Sequence, residues 1–184
     1  MLIMLYTVSE IADKNDRIEH LIAEIAKGNK DALGDLYSLI KTDVFAYAMS
    51  KTGNKPDAED IMQDTFIQIY KYAGRYEPQG KPMAWIMTIA KNHCMRKFRE
   101  YKNRSDLPEE DWERYLESAD RVTPEDKMVI EQVMNGLSDE ERQIVVLHAL
   151  SGFKHREIAR MLELPLATVL SKYHRALKKL KSHL

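Results

Sequence analysis

Thr168, Ser171, Lys172, Arg175 and Lys179 follow one another at helical steps, directly after a Leu164-Pro165 break. Hydroxyls and cations at that spacing stand together on a helix, and the chemistry open to them is recognition of nucleic acid. Lys and Arg suit phosphates or guanine edges, and Ser and Thr suit either. Covalent chemistry lacks the residues it would need. There is no GxxxxGK phosphate loop, no GxGxxG after a strand, no GxSxG elbow and no HExxH pair. The 6 histidines show no ligand spacing, and the single Cys94 excludes both an internal disulfide and a thiolate zinc cluster. The carboxylates fall in capping positions, on solvated faces or in one acidic stretch. The expectation is no catalytic residue, no metal and no cofactor.

The elements around the cationic residues read as two helices. In HREIARMLELPLATVLSKYHR, Ile158, Ala159 and Leu162 line a first helix, Leu164-Pro165 makes a turn, and Val169, Tyr173, Ala176 and Leu180 give the second a buried stripe. Thr168, Ser171, Lys172, Arg175 and Lys179 are then expected to point away from the core, which is the helix-turn-helix arrangement. A plain antiparallel pair with a solvated Lys-rich face is the alternative. Glu163 stands at the turn position where glycine most easily takes a left-handed conformation, so some strain is expected there. Upstream, Ser138-Asp139-Glu140-Glu141 has capping-box spacing before Ile144-Val145-Val146-Leu147, and Thr123-Pro124 opens a helix through Met134.

The N-terminal half carries further stripes. One comprises Leu33, Leu36, Tyr37, Ile40, Val44, Tyr47 and Ala48; another Ala58, Ile61, Met62, Thr65, Phe66 and Ile69. Breaks fall at Gly28-Asn29, at 53–56 and at 77–81, and a helix from Pro82 runs to about Lys102. No stretch alternates with period two, so the fold class expected is all-α, in two small helical domains with thin cores. The chain has 184 residues, 44% of them hydrophobic, and a net charge of −1 that conceals segregation. Residues 91–104 and 154–181 are mostly basic, whereas 105–126 are mostly acidic. Two cationic surfaces joined by an anionic strap suit a polyanion held in two places. No window is apolar enough to span a bilayer, and the N-terminus lacks the basic region and cleavage site of a signal peptide, so a cytoplasmic protein without direct membrane insertion is expected.

The stretch LSDEERQIVVLHALSGFKHREIARMLELPLATVLSKYHRALKKL resembles the promoter-binding domain of sigma-70 family factors, especially the extracytoplasmic-function group, and also the DNA-binding domain of LuxR-type regulators. The other half, DAEDIMQDTFIQIYKYAGRYEPQGKPMAWIMTIAKNHCMRKFREYKNR, is similar to the N-terminal domain of the same sigma group, and no βα-alternating receiver is present. The resemblance covers about residues 18–103 and 125–184. It implies an N-terminal tail (1–15), sigma domain 2 (16–104), an acidic linker (105–123) and sigma domain 4 with its helix-turn-helix (124–184). Implied partners are core RNA polymerase and promoter DNA. An anti-sigma factor, which many relatives have, is a further partner left open. The implied function is promoter-specific initiation without enzymatic activity; a free-standing LuxR-like regulator is the alternative.

The resemblance also assigns residues. Asp60, Gln63 and Asp64 share a helix face away from the apolar stripe; spacing alone suits a solvated acidic face equally well, and the resemblance favours docking on polymerase. The loop from Tyr76 to Lys81 and the following helix are where the family captures a flipped base of the melted minus-ten element, with Tyr76, Gln79, Lys81, Asn92, Arg96 and Arg99 as candidates. Trp85 reads as core more readily than as a DNA contact. Arg96 departs from the family's common acid, which puts the usual intradomain pairing in doubt and allows a phosphate contact. Thr168, Ser171, Lys172, Arg175 and Lys179 would read the minus-thirty-five duplex. Leu170 stands where the family commonly has a cation, and His155 replaces a commoner tyrosine.

Overall fold

In the computed structural model, residues 8–104, 136–149 and 151–181 are described, with side chains from residue 12 to residue 100 in the first span. Every regular element among them is helical: α1 Val8–Ala26, α2 Lys30–Thr52, α3 Lys55–Tyr72, a short 3-10 turn Ala73–Arg75, α4 Pro82–Arg104, α5 Asp139–Ala149, α6 His155–Leu162 and α7 Leu166–Lys181. The acidic stretch 105–123 and the helix expected from Thr123-Pro124 to Met134 lie outside the described residues. No helix among those described is long and apolar enough to cross a membrane.

Local signals set the boundaries. Asn29 caps α2 by accepting from the Asp31 amide at 3.0 Å, and Gly53, at φ 71°, closes it with its N–H on the Met49 carbonyl. Asn54 caps α3, with Pro56 in the first turn, and its own amide donates to Asp57 at 2.8 Å. α1 starts at Val8, so helix reaches into the segment read as an N-terminal tail. Its Ile18, Leu21, Ile22 and Ile25 repeat at helical spacing and are buried, which ties the helix to the core.

α2 is the axis of the molecule. Every residue from Asp43 to Ser50 is buried, and Val44, Phe45, Ala46, Tyr47, Ala48 and Met49 are apolar or aromatic on all sides of the helix. Such a helix needs neighbours all round. α1, α3 and α4 supply them on one side and α5 on the other. One core consequently runs from Ile18 and Leu36 through Ile86 and Met87 to Ile144, Leu147, Ile158 and Val169. The two thin cores expected from the sequence are joined, because α5 has apolar contacts with both α2 and α7. Truncating a fully buried member such as Leu36 to Ala would cost about 2–5 kcal/mol.

Candidate nucleic-acid and docking interfaces

On α3, Ala58, Ile61, Met62, Thr65, Phe66 and Ile69 face inward, which turns Asp60 and Gln63 outward and leaves Asp64 half-buried. The acids meet the cations of α4. Lys97 Nζ lies 2.9 Å from Asp57 and 3.1 Å from Asp60, and its pKa is raised first by the hydrogen bond to Asp57, with Asp60 adding to it against the opposing effect of burial. Arg96 pairs with Asp64 and sits 3.9 Å from Glu100. Arg96, a base where the family commonly has an acid, is thus paired within the domain to Asp64 of α3, with 52% of its side chain still exposed. Both Asp64 and Arg96 remain about half exposed, so the pair is worth at most about 1 kcal/mol and can be exchanged for an external partner. Gln63 is exposed and has no polar partner among the described residues. Beside it, Ile67 and Tyr70 are 51% and 43% exposed, an apolar extension of this face that sequence reasoning passed over. Their steps of four and seven from Gln63 were the available signal.

The loop after the 3-10 turn is held by α1. Glu19 Oε1 accepts from the Tyr76 hydroxyl at 2.8 Å and from the Gly80 amide at 2.9 Å, with Gly80 at φ 67°. Burial, and then the Glu19 carboxylate, push the Tyr76 phenol pKa up. One side of the Tyr76 ring is covered by Trp85, 5.0 Å away between centroids, and both rings are half-buried against the core. With Gln68, Tyr72, Arg75 and Ile89, Trp85 lines a notch of about 200 Å³. Gln79 and Lys81 are exposed, and Lys81 is bound to Glu157 at 2.7 Å. On α4, Asn92 and Arg99 project into solvent beside the exposed Met95 and Phe98, and among the described residues Arg99 reaches only the Met95 carbonyl of its own helix.

The helix-turn-helix is formed by α6 and α7. Glu157 caps α6 by accepting from the Lys154 amide at 3.0 Å. Glu163 closes it at φ 58°, with its N–H on Arg160 O and the Leu164 N–H on Ala159 O, the paired bonds of a Schellman turn. It is the one non-glycine residue with positive φ among those described, which answers the strain expected there. On α7, Val169 and Ala176 are buried and Tyr173 half-buried. That roll directs Ser171, His174, Arg175 and Lys178 outward. Lys172, at 21% exposed, is turned less outward than expected, and Lys179, at 46%, points into solvent. They share a flank with the half-buried Thr168 and are tied at 2.7 Å each to Glu140 and Glu141 of α5. Sequence periodicity could not register these acids because they belong to another helix. His174 and Lys178 were missed although the same period, counted from Val169 and Ala176, places them outside.

Behind α7, the rings of His148 and His155 lie 4.3 Å apart with Tyr173 edge-on to both, and His148 Nδ1–H donates to Phe153 O at 2.8 Å. Burial first, then the charges of His148 and His174, lowers the His155 pKa. No group of three or more metal-ligating side chains occurs among the described residues. The arrangement offers two exposed basic helix faces, one with aromatic and apolar companions suited to unstacked bases and one of a width suited to a major groove.

Comparison with known proteins matches residues 36–104 to "Sigma-70 region 2" and residues 127–180 to "Sigma-70, region 4". The ECF RNA polymerase sigma factor SigW of Bacillus subtilis is 28% identical over 180 residues, covering 91% of this chain and 96% of its own. SigK of Mycobacterium ulcerans is 22% identical over 176 residues, covering 92% and 94%. Among solved structures, the sigma factor RpoE of Bartonella quintana in complex with the anti-sigma factor NepR has a TM-score of 0.62 at 24% identity, covering 82% of this chain and 94% of that one. CnrH in complex with the cytosolic domain of CnrY has a TM-score of 0.59 at 22% identity, covering 90% and 96%.

Proposed function

The chain belongs to the sigma-70 family, in its extracytoplasmic-function group, and on that footing we propose that its two matched regions divide promoter recognition between them. It is an RNA polymerase sigma factor that directs promoter-specific initiation of transcription. The observation that carries the division of labour is the pair of exposed cationic helix faces, one within each matched region. A free-standing helix-turn-helix regulator has no use for region 2, and that region's presence ahead of region 4 disfavours the LuxR-like reading.

The face of α3 around Asp60, Gln63 and Asp64, with Ile67 and Tyr70 beside it, docks on core polymerase. Docking exchanges the weak Arg96–Asp64 pair for an intermolecular one and releases Arg96 toward the DNA. The Tyr76–Lys81 loop and the Asn92/Arg99 face of α4 hold the separated minus-ten strand, where stacking and backbone-tracking cations compensate bases that have lost their neighbours. Ser171 and Arg175, joined by His174 and Lys178, enter the minus-thirty-five major groove; Lys172 and Lys179 brace α7 against α5 and set its roll. Residues 16–104 and 124–184 act as the two binding domains, with 105–123 as the acidic connection. The chain positions DNA while polymerase forms the phosphodiester bonds, and its work lies in the cytoplasm with those partners. An anti-sigma factor is a further proposed partner. Run-off transcription from a genomic promoter library, with purified core polymerase and no other sigma factor, tests the reading. Specific transcripts support it, and their absence from every template refutes it.

A further inference from the structure

We infer, on the footing of the proposed function, that Leu170 selects a thymine in the minus-thirty-five element through an uncharged patch at the base-reading end of α7.

Charge is unevenly spread along this helix. Residues 166–171, LATVLS, hold no ionisable group, and the cations Lys172, Arg175, Lys178, Lys179 and Lys181 all follow. In a helix-turn-helix the N-terminal residues of the second helix are the ones that meet base edges. Val169 is buried, and Leu166 and Thr168 are half-buried. Ala167, Leu170 and Ser171 are left as the exposed residues of the six, and steps of three and four set the latter two beside Ala167 on the surface. Leu170, next in the chain to the buried Val169, is turned out with 37% of its surface exposed. Apolar surface of that kind stays in contact with water until something apolar covers it.

The chemistry of the patch limits what it can read. Leu170 stands where the family commonly has a cation, and it has no donor for the O6 and N7 of guanine, the bidentate contact made by Lys or Arg. It can cover the apolar group that the major groove displays, the C5 methyl of thymine. Over a cytosine, the same side chain would close the N4 amino group off from water without an acceptor, which adds a penalty to the missing methyl. Ser171 supports the same choice. Its hydroxyl donates to the Thr168 carbonyl at 3.0 Å, so lone pairs are what it turns toward the groove. Adenine presents an N6 amino group to such an acceptor, whereas guanine presents only acceptors of its own. A·T pairs therefore suit the first turns of α7, and Arg175 remains for a guanine or a phosphate further along.

Deoxyuridine, which is thymine without the methyl, tests this. Holoenzyme is assembled from core polymerase and the full-length chain on a promoter that yields a run-off transcript, and each thymine of the minus-thirty-five element is replaced in turn. At one or more of these positions the native holoenzyme should bind about fourfold more weakly, the effect of uncovering one buried methyl. Leu170→Ala, a change that costs the helix nothing in propensity, should bind thymine and deoxyuridine there alike. Leu170→Met keeps an apolar side chain of similar volume and should retain the native preference. Native holoenzyme indifferent to every replacement overturns the inference, as does an element without thymine or a fourfold loss that persists in Leu170→Ala. In each of those cases specific initiation, and with it the proposed function, still stands. If no promoter responds to the native holoenzyme, the proposed function is refuted and the role of Leu170 falls with it.

Discussion

Glu141→Ala should destabilise the protein by about 2 kcal/mol. Glu141 Oε2 accepts from the Ser138 amide at 2.9 Å and from Lys179 Nζ at 2.7 Å, and its side chain is 5% exposed. Losing the reciprocal cap with Ser138 accounts for about 1 kcal/mol. The Lys179 end is 46% exposed and returns to water when freed, so that contact adds at most about 1 kcal/mol. At roughly 2–4 °C per kcal/mol for a chain of this size, the melting temperature falls by about 4–8 °C. Glu141→Gln keeps an acceptor for the Ser138 amide and should lose about half as much. The pH dependence has a definite sign. Burial raises the Glu141 pKa, but Lys179 and the Ser138 amide outweigh it and hold the carboxyl below its ordinary value. The stabilisation is therefore fully present above the ordinary value of 4.5 and is lost as pH falls through the lower folded value. Circular-dichroism melts of both variants at pH 7 and in an acid series give the check. Identical melting of native and Ala proteins at pH 7, or a native-to-Gln difference that persists unchanged into acid, would refute the reasoning.

Three further outcomes are expected. In anisotropy titrations with a responsive promoter duplex, Arg175→Ala costs about 1–3 kcal/mol of specific binding and Lys178→Ala lowers the salt slope by about one, whereas Lys172→Ala, already held by Glu140, changes either little; the reverse ranking would mean that α7 is rolled differently. Gln63→Ala with Asp64→Ala weakens association with core polymerase in pull-down titrations and leaves duplex binding intact, and equal loss of both would contradict a docking role. Because His155 is held below its ordinary 6.5, protonation favours the unfolded chain, so stability declines as pH falls through 6.5 toward the folded value; His155→Phe should melt with a shallower slope between pH 7 and 5, and an unchanged slope would exclude His155 as a source.

What the sequence made legible is local. The Ser138–Glu141 box, the Pro82 helix start, the inward stripe of α3 and the awkward Glu163 each depend on residues within a turn or two of one another. The roll of α7 was only half legible. Val169 and Ala176 identify the buried side, but Glu140 and Glu141, which draw Lys172 and Lys179 onto a flank, lie some three dozen positions away along the chain. The Arg96–Asp64 and Lys97–Asp57 pairs escaped notice for the same reason, since each joins two helices. α2 offered a signal that went unread. Val44, Tyr47 and Ala48 mark one stripe, yet Phe45, Ala46 and Met49 fill the remaining sides, the pattern of a helix with a second layer against it. That second layer is α5, and it converts two expected cores into one.

The most direct measurement is initiation itself. Purified core polymerase, this chain alone as specificity factor and a genomic promoter library should yield run-off transcripts from a discrete set of start sites that share two upstream elements. Core polymerase that gives the same end-initiated, sequence-indifferent products with and without the chain would contradict the account.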